Sequence, residues 1–241
     1  MTAPVVVLAG GLGTRVAELT GDALPKALLD VAGRPFLERK FDELIGHGVT
    51  EVFLLIGHRA SAIAAYLERQ PPTRLQAHCV FDGNRLLGTG GAVRNALDVL
   101  PDAFWVTYGD TILDAPMEEI EQAWRNSGRQ SLMTVLHNRD EEQRSNTSIA
   151  DGLVTAYSKH DPPGTHEYID YGLLLFAKQA FAEFDAGMAF DLAEVISAQV
   201  ARSQMAAAIV SSWFHDIGTP GALARTSELF SGLVAAPPTP E

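Results

Sequence analysis

The sequence predicts an α/β protein with a doubly wound, Rossmann-like mixed sheet that is mainly parallel, with an antiparallel section in the C-terminal half. Three observations predict this fold. Short apolar runs alternate with helical patterns through the first half of the chain, as they do where crossover helices join parallel strands. The valine-rich run 5–9 precedes two glycines, which is typical of a central strand buried on both faces. From Ser131 onward, strand-like segments follow one another with few helices between them.

The first half alternates strands and helices after the opening strand. A helix is predicted over 35–47, because apolar residues recur at helical spacing between Pro35 and the stop signal Gly48. The remaining strands of this half are predicted at 51–56, 75–81 and 104–108, and the helices at 59–69 and 88–100.

The next helix is predicted to begin at Pro116, since proline suits the first helical position. Its early residues include Glu118, Glu119 and Glu121. Carboxylates there interact favourably with the helix dipole, and we expect all three on a solvated face.

The second half is predicted to contain a group of strands and then helices. Asp151-Gly152 lies between two alternating segments, which is a strong hairpin signal. We expect a single domain over 1–231, followed by a Pro-rich, disordered tail at 232–241. The predicted strands are 131–137, 145–150, 153–158, 168–176 and 206–210, and the predicted helices are 178–185, 190–202 and 219–231.

Composition and charge exclude several functional classes. With 18 Lys and Arg against 30 Asp and Glu, the formal net charge is −12, so the chain lacks the cationic surplus that nucleic-acid binding requires. Hydrophobic residues make up 46%, enough to bury a core, which excludes disorder as the main state. Cys79 is the single cysteine, and no leader or membrane-spanning run is recognisable. We therefore expect a cytoplasmic protein with no membrane partner, either a monomer or a homodimer.

A glycine-rich segment follows the opening strand. It reads LAGGLGTR over residues 8–15, and Pro25-Lys26 follows it. Glycines allow backbone N–H groups to turn toward an anion. Arg15 adds a fork of donors and Lys26 a point charge, which together suit a triphosphate. The segment matches neither the Walker A nor the dinucleotide pattern. We interpret it as a phosphate cradle; the alternative is a tight connection without a ligand.

A carboxylate follows the predicted strand 104–108. Gly109-Asp110 stands where open α/β sheets have their ligand crevice. Mg²⁺ binds one or two carboxylates together with water and substrate phosphates, and Asp216 in the segment HDIGTP is the candidate partner of Asp110. The alternative is that Asp110 only caps the following turn.

A second group of small residues, LGTGGA over 87–92, opens a predicted helix. Three glycines in four residues allow a base or ribose to lie against the backbone. Close packing of the helix against another segment explains the same glycines. Both interpretations remain open on the sequence.

In their order and spacing, LAGGLGTR, PK, LGTGGA, YGD and HDIGTP resemble the motifs of the sugar-1-phosphate nucleotidyltransferases. The resemblance extends over most of the chain. The short length and the HDIGTP segment are most similar to the small bacterial guanylyltransferases that act on heptose 1-phosphate or mannose 1-phosphate.

This resemblance implies roles for individual residues. Arg15, Lys26 and Asp110 would be catalytic, and Asp110 with Asp216 would hold Mg²⁺. Lys159, Asp170 and Gly109 would bind the sugar phosphate, although Ser158 stands where the family usually has Glu before that Lys. The nucleotide-binding residues would be Leu8, Ala9, Gly10, Gly11, Gly13, Thr14, Arg15, Gly88 and Thr89.

The implied reaction is attack of a sugar 1-phosphate oxygen on the α-phosphorus of an NTP, with GTP favoured by the resemblance. Pyrophosphate departs in line, and no covalent intermediate forms. The nucleophile is already an anion, so no general base is required. The alternatives are a uridylyl- or thymidylyltransferase for another sugar 1-phosphate such as an amino sugar, a glycosyltransferase, and a non-enzymatic subunit that binds a nucleotide sugar. The usual Asp-x-Asp of glycosyltransferases is missing after Asp110.

Overall fold

The computed structural model describes residues 2–11, 24–83, 85–138, 140 and 143–232. Nine strands in this part of the chain form one mixed sheet. The predicted α/β class, with a parallel first part and an antiparallel section in the C-terminal half, is confirmed. Most of the predicted tail, from residue 233 onward, lies outside the described residues.

The strands are β1 Val5–Leu8, β2 Asp30–Val31, β3 Arg34–Pro35, β4 Glu51–Ile56, β5 Gln76–Phe81, β6 Ala103–Tyr108, β7 Thr111–Ile112, β8 Ser131–His137, β9 Thr147–Ala150, β10 Leu153–Tyr157, β11 Tyr168–Ala177, β12 Met205–Val210 and β13 His215–Asp216. The helices are α1 Phe36–Gly46, α2 Ala60–Arg69, α3 Gly88–Ala96, α4 Met117–Ser127, α5 Leu192–Ala201 and α6 Pro220–Phe230. Short 3-10 helices occupy Lys26–Leu28 and Lys178–Phe181.

The strand order in the large sheet is β5-β4-β1-β6-β11-β8-β12-β10-β9. β5, β4, β1 and β6 run parallel to one another. β11 is antiparallel to both β6 and β8, whereas β12 is parallel to β8. β1 lies between β4 and β6, where the strand order reverses, and open α/β sheets bind ligands at such a point.

β1 is buried on both faces, as its sequence predicts. Val5 and Val7 belong to one core, which includes side chains of α1, α2 and α4. Val6 points to the other face and belongs to a second core, with side chains of α3 and α5. All three valines have no exposed surface, so the end of β1 is held rigidly between two helical layers.

Two predicted helices are shorter than expected. The helix predicted over 88–100 ends at Ala96, and the residues up to Leu100 form turns instead. The segment predicted as helical over 178–185 forms only a short 3-10 helix. So few residues rarely repay the cost of nucleating an α-helix.

The expectation for Glu121 is wrong. Glu118 and Glu119 are exposed, but Glu121 is only 5% exposed. Its carboxylate accepts hydrogen bonds from the Ala3 backbone N–H at 2.8 Å and from Trp105 Nε1 at 3.3 Å. α4 therefore supplies the acceptor that the donors just before β1 and within β6 would otherwise lack.

No helix among the described residues combines the length and the apolar character that crossing a bilayer requires.

Candidate functional site

A cavity of about 350 Å³ opens beside the carboxyl ends of β1 and β6. Its lining includes the end of β1, the Gly109-Asp110 turn after β6, Lys26, and the start of α3. The cavity therefore brings together the three motifs that the sequence analysis selected from distant parts of the chain.

The first glycine turn packs against the neighbouring parallel strand. The Ala9 N–H donates to the Leu55 carbonyl at 2.9 Å, and the His58 N–H donates to the Gly10 carbonyl at 3.2 Å. A Cβ at Gly10 would lie 2.9 Å from the Gly57 nitrogen, which is too close for any side chain. Leu8, Ala9, Gly10 and Gly11 all line the cavity. Gly13, Thr14 and Arg15 of the predicted cradle lie outside the described residues.

Gly109 fixes the turn that carries Asp110. The Gly109 N–H donates to the Leu8 carbonyl at 2.9 Å, and a Cβ at Gly109 would lie 3.0 Å from that same oxygen. The end of β6 is thus tied to the end of β1. Asp110 and Gly109 consequently line the same cavity as the glycine turn.

Lys26 makes an ion pair with Asp110. Its Nζ donates to Asp110 Oδ2 at 2.5 Å, and the two side chains are 14% and 32% exposed. Pro25 is extended, and the following 3-10 helix projects Lys26 toward the sheet end. A cation of the protein itself thus lies against the carboxylate predicted to bind a metal ion.

Asp216 is brought beside Asp110 by a two-residue strand pair. In the β7–β13 ladder, Asp216 pairs with Thr111, and the Ile217 N–H donates to the Asp110 carbonyl at 3.0 Å. Asp216 Oδ1 accepts the Gly218 N–H at 2.6 Å. A Cβ at Gly218 would lie 2.8 Å from Asp216 Oδ1 and 3.6 Å from Lys26 Nζ. The two aspartates and Lys26 therefore surround one small region.

Few side chains in this region could bind a metal ion. The described residues contain no group of three or more His, Cys, Asp or Glu side chains positioned to hold a metal ion. Two carboxylates match what Mg²⁺ takes from a protein when water and substrate phosphates supply its other ligands.

The second glycine turn packs tightly against the segment before α5. The N–H groups of Gly90 and Gly91 both donate to the Phe190 carbonyl, at 3.0 and 3.2 Å. A Cβ at Gly88 would lie 2.5 Å from the same oxygen. Gly88 and Thr89 also line the cavity. The packing interpretation therefore accounts for these glycines, while the turn itself remains part of the cavity wall.

Gly91→Ala is expected to lower the free energy of unfolding by about 1–3 kcal/mol, because the new methyl group would overlap the Met188 carbonyl oxygen and force the two segments apart. Gly46→Ala is the control, since nothing lies within 4 Å of a Cβ at Gly46, and we expect it to be neutral or slightly stabilising. Urea unfolding of both variants measures the difference. Equal stabilities would contradict the close packing.

Asp82 is a cavity residue that the sequence analysis missed. It follows β5 and lines the cavity near Leu86 and α3. Asp82 Oδ2 accepts the Leu87 N–H at 3.3 Å, and no described residue donates to its other oxygen. Burial raises the pKa of Asp82. The rule that pointed to Asp110, a carboxylate at the carboxyl end of a parallel strand, also points to Asp82.

Lys159 and Asp170 do not line this cavity, but they lie on its Tyr108 side. Lys159 Nζ is 3.4 Å from Asp191 Oδ1, and Asp191 caps α5. Asp170 Oδ1 accepts the Gly172 N–H at 2.9 Å, and Gly172 packs against the Tyr108 ring. Burial raises the pKa of Asp170. Burial, followed by the charge of Asp170, also raises the pKa of Tyr108.

The buried hydroxyl of Tyr157 lies close to Asp170 and Tyr108. Burial, followed by the charge of Asp170, raises its pKa, and a side-chain interaction of the hydroxyl with Asp170 contributes to the rise. Together with Asp170 and Lys159, it forms a polar cluster behind Tyr108.

Comparisons with known proteins identify the family and the fold. The family described as the MobA-like NTP transferase domain matches residues 5–207. The D-glycero-alpha-D-manno-heptose 1-phosphate guanylyltransferase of Campylobacter jejuni is 25% identical over 224 residues, which cover 89% of this chain and 94% of that protein. The crystal structure of HddC from Yersinia pseudotuberculosis complexed with GMP-PN is similar with a TM-score of 0.79 and 25% identity, over 95% of this chain and 99% of that chain.

A further relative is similar over a shorter stretch. The N-acetylmuramate alpha-1-phosphate uridylyltransferase of Caulobacter vibrioides is 31% identical over 130 residues. The alignment covers 49% of this chain and 52% of that protein, so the chain spans about half the length of that relative.

Proposed function

This chain belongs to the MobA-like NTP transferase family, and we propose that it transfers a guanylyl group from GTP to a sugar 1-phosphate of the heptose or mannose type, with release of pyrophosphate. The observation that carries the proposal is that Lys26 and Asp110 line a cavity beside the Gly10-Gly11 turn, while the β7–β13 ladder brings Asp216 next to the segment that carries Asp110. We further propose that residues 1–231 form the single domain that carries both substrate subsites, and that the enzyme acts in the cytoplasm.

The proposed cofactor is Mg²⁺, held by Asp110 and Asp216. The β7–β13 ladder supports this assignment, because it brings Asp216 next to the segment that carries Asp110, and Mg²⁺ takes one or two carboxylates from a protein. Lys26 is paired with Asp110, so an incoming ion must displace it. When bound, the ion supplies positive charge for the phosphates of both substrates and helps to orient them.

The protein's own residues then have two tasks: to overcome repulsion between two anions and to align them. Lys26 neutralises phosphate charge at the reacting centre, and Lys159 binds the phosphate of the sugar; Arg15 serves the departing phosphates. A sugar-phosphate oxygen forms a bond to the α-phosphorus as the bond to the β-phosphate bridging oxygen breaks, and pyrophosphate leaves with that electron pair. The N–H groups of the glycine turn act as fixed dipoles that need no reorganisation.

Asp82 supports guanine as the base. The Watson–Crick edge of guanine carries two adjacent donors, N1–H and the N2 amino group, whereas uracil and thymine offer one. An ionised carboxylate only accepts hydrogen bonds, and one oxygen of Asp82 has no donor among the described residues. A carboxylate paired with two donors of one base favours that base by about 1–3 kcal/mol.

The sugar subsite is proposed on the Tyr108 side, where Gly109, Lys159 and Asp170 lie. The name of the similar Campylobacter protein supports a guanylyl donor and a heptose acceptor. The GMP-PN bound in the similar Yersinia structure supports a guanine nucleotide. The name of the Caulobacter relative supports the alternative, a uridylyltransferase for an amino-sugar 1-phosphate.

Pyrophosphate release tests the proposal. Purified protein with Mg²⁺ is offered each of five NTPs together with each of a panel of sugar 1-phosphates, and the nucleotide sugar is identified by chromatography. We expect the highest kcat/KM for GTP with a heptose or mannose 1-phosphate. A preference for UTP or dTTP would favour the alternative transferases. No pyrophosphate from any pair would contradict the transferase proposal; consumption of a nucleotide sugar would then favour a glycosyltransferase, and binding without turnover a regulatory subunit.

Asp82→Asn is expected to raise the KM for GTP roughly 10- to 100-fold, because an amide nitrogen would then face the two guanine donors. The KM for UTP should change little, so the ratio of kcat/KM values for the two nucleotides is the diagnostic measurement. Asp98→Asn, at an exposed position after α3, is the control. A variant whose GTP preference equals that of the wild type would exclude Asp82 from base recognition.

A further inference from the structure

α1 carries a lysine in the middle of its buried face. Lys40 has no exposed surface, although it stands among the apolar residues Phe36, Leu37 and Leu44 on the same side of the helix. A buried ammonium group is costly unless its donors are all satisfied. The acceptors around the Lys40 ammonium group therefore indicate its role.

The three N–H donors of Lys40 have three acceptors. Nζ is 3.0 Å from Glu43 Oε1, 2.9 Å from the Thr111 carbonyl oxygen, and 3.3 Å from Thr107 Oγ1. Glu43 supplies the countercharge, and its side chain is only 7% exposed. Burial raises the pKa of Glu43, which is a further sign of how little water reaches the pair.

Two of these acceptors lie on either side of the turn that carries Asp110. Thr107 is the penultimate residue of β6, and Thr111 opens β7. Thr111 is also the residue that pairs with Asp216 in the β7–β13 ladder. The Lys40 ammonium group thus joins β6, which precedes Asp110, to β7, which follows it. β7 is also the strand that pairs with the segment of Asp216.

We infer that Lys40, with Glu43 as its countercharge, is a positioning residue that fixes the Asp110 turn and the β7–β13 bridge, so that both aspartates are held ready for the divalent ion. The inference rests on the proposed function, because the ion belongs to that proposal. Lys40 contacts neither aspartate side chain in the described structure, so its effect passes through the Thr111 carbonyl and the Thr107 hydroxyl. Groups that orient metal ligands in this indirect way typically change metal affinity or activity 10- to 100-fold when removed.

The main test replaces the whole pair. In Lys40→Met/Glu43→Leu, apolar side chains of similar size replace both charges, and such replacements often leave stability unchanged or improved. We expect a thermal midpoint near that of the wild type, together with roughly tenfold weaker Mn²⁺ binding in the presence of a non-hydrolysable GTP analogue. Electron paramagnetic resonance of free Mn²⁺ measures this affinity without turnover. In kinetics, kcat should fall while the KM for GTP changes little.

Arg34→Met is the matched control. Arg34 makes ion pairs with Glu38 and Asp42 on the exposed side of the same helix, so its loss removes a charge network on α1 without touching the Asp110 turn. Mn²⁺ affinity should be unchanged in this variant. A role of the Lys40–Glu43 pair in stability alone would change the thermal midpoint but leave the Mn²⁺ affinity of the folded protein intact.

Thr107→Val provides a second route if the double variant does not fold. It keeps the shape of the side chain and removes one of the three acceptors, and we expect a smaller loss of Mn²⁺ affinity in the same direction. Wild-type Mn²⁺ affinity in a folded double variant, or in Thr107→Val, would overturn this inference but leave the proposed function in place. A wild-type protein that binds no Mn²⁺ with the nucleotide analogue would overturn both this inference and the metal part of the proposed function.

Discussion

Asp110→Asn is expected to lower kcat by roughly 10²–10³-fold, the range seen when one preorganised electrostatic contact to a transition state is removed. The substitution keeps the shape of the side chain but removes the charge that both Lys26 and the divalent ion require. Asn also retains a carbonyl oxygen, so the turn between β6 and β7 should keep its structure. Initial rates of pyrophosphate release at saturating substrates measure the effect.

Two controls make this result specific. Asp98→Asn removes a carboxylate at an exposed position and should leave the rate unchanged. Circular dichroism of Asp110→Asn should match the wild type, because the Gly109 N–H and the Asp110 carbonyl, which tie the turn to Leu8 and Ile217, are backbone groups. An Asp110→Asn protein with near wild-type turnover would exclude Asp110 as a metal ligand.

Lys26→Met should have two effects of opposite sign. Turnover should fall by about two orders of magnitude or more, because a cation that neutralises phosphate charge in the transition state is lost. Binding of Mn²⁺ in the absence of nucleotide should instead become tighter than in the wild type. The reason is that Lys26 Nζ lies 2.5 Å from Asp110 Oδ2, so that in the wild type a metal ion must displace it.

The measurement pairs single-turnover rates with Mn²⁺ titrations followed by electron paramagnetic resonance. Lys178→Met is the control. Lys178 follows β11, and its backbone N–H donates to the Asp102 carbonyl, which precedes β6. It therefore lies at the end of β6 opposite to Asp110. Lys178→Met should change neither quantity. If Lys26→Met bound free Mn²⁺ as weakly as the wild type, Lys26 would not compete with the ion for Asp110.

The order of strands and helices can be predicted from the sequence, because burial determines where apolar residues recur along the chain. A β-branched run such as Val5 to Val7 favours a strand covered on both faces, and the glycines after it indicate a turn that another strand approaches closely. The same reasoning locates Gly109-Asp110 at a strand end. These inferences depend on local sequence and on a general property of parallel sheets.

Other parts of the site depend on long-range pairing that no local pattern specifies. The partnership of Asp110 with Asp216 depends on a two-residue ladder between segments more than a hundred positions apart in the chain, and strands this short have no periodicity to detect. Lys40 and Glu121 have charged side chains on helices, which normally predicts exposure. Each is buried because a donor or an acceptor on a distant strand satisfies it: Trp105 Nε1 of β6 for Glu121, and the Thr111 carbonyl of β7 for Lys40.

Anomalous diffraction from crystals grown with Mn²⁺ and an α,β-methylene analogue of GTP tests the central claim most directly. The account predicts one anomalous peak in direct or water-mediated contact with the carboxylates of both Asp110 and Asp216, adjacent to the α-phosphate, with Lys26 moved from Asp110 to the nucleotide phosphates. A peak bound elsewhere, or the two carboxylates turned away from each other with the nucleotide in place, would contradict it.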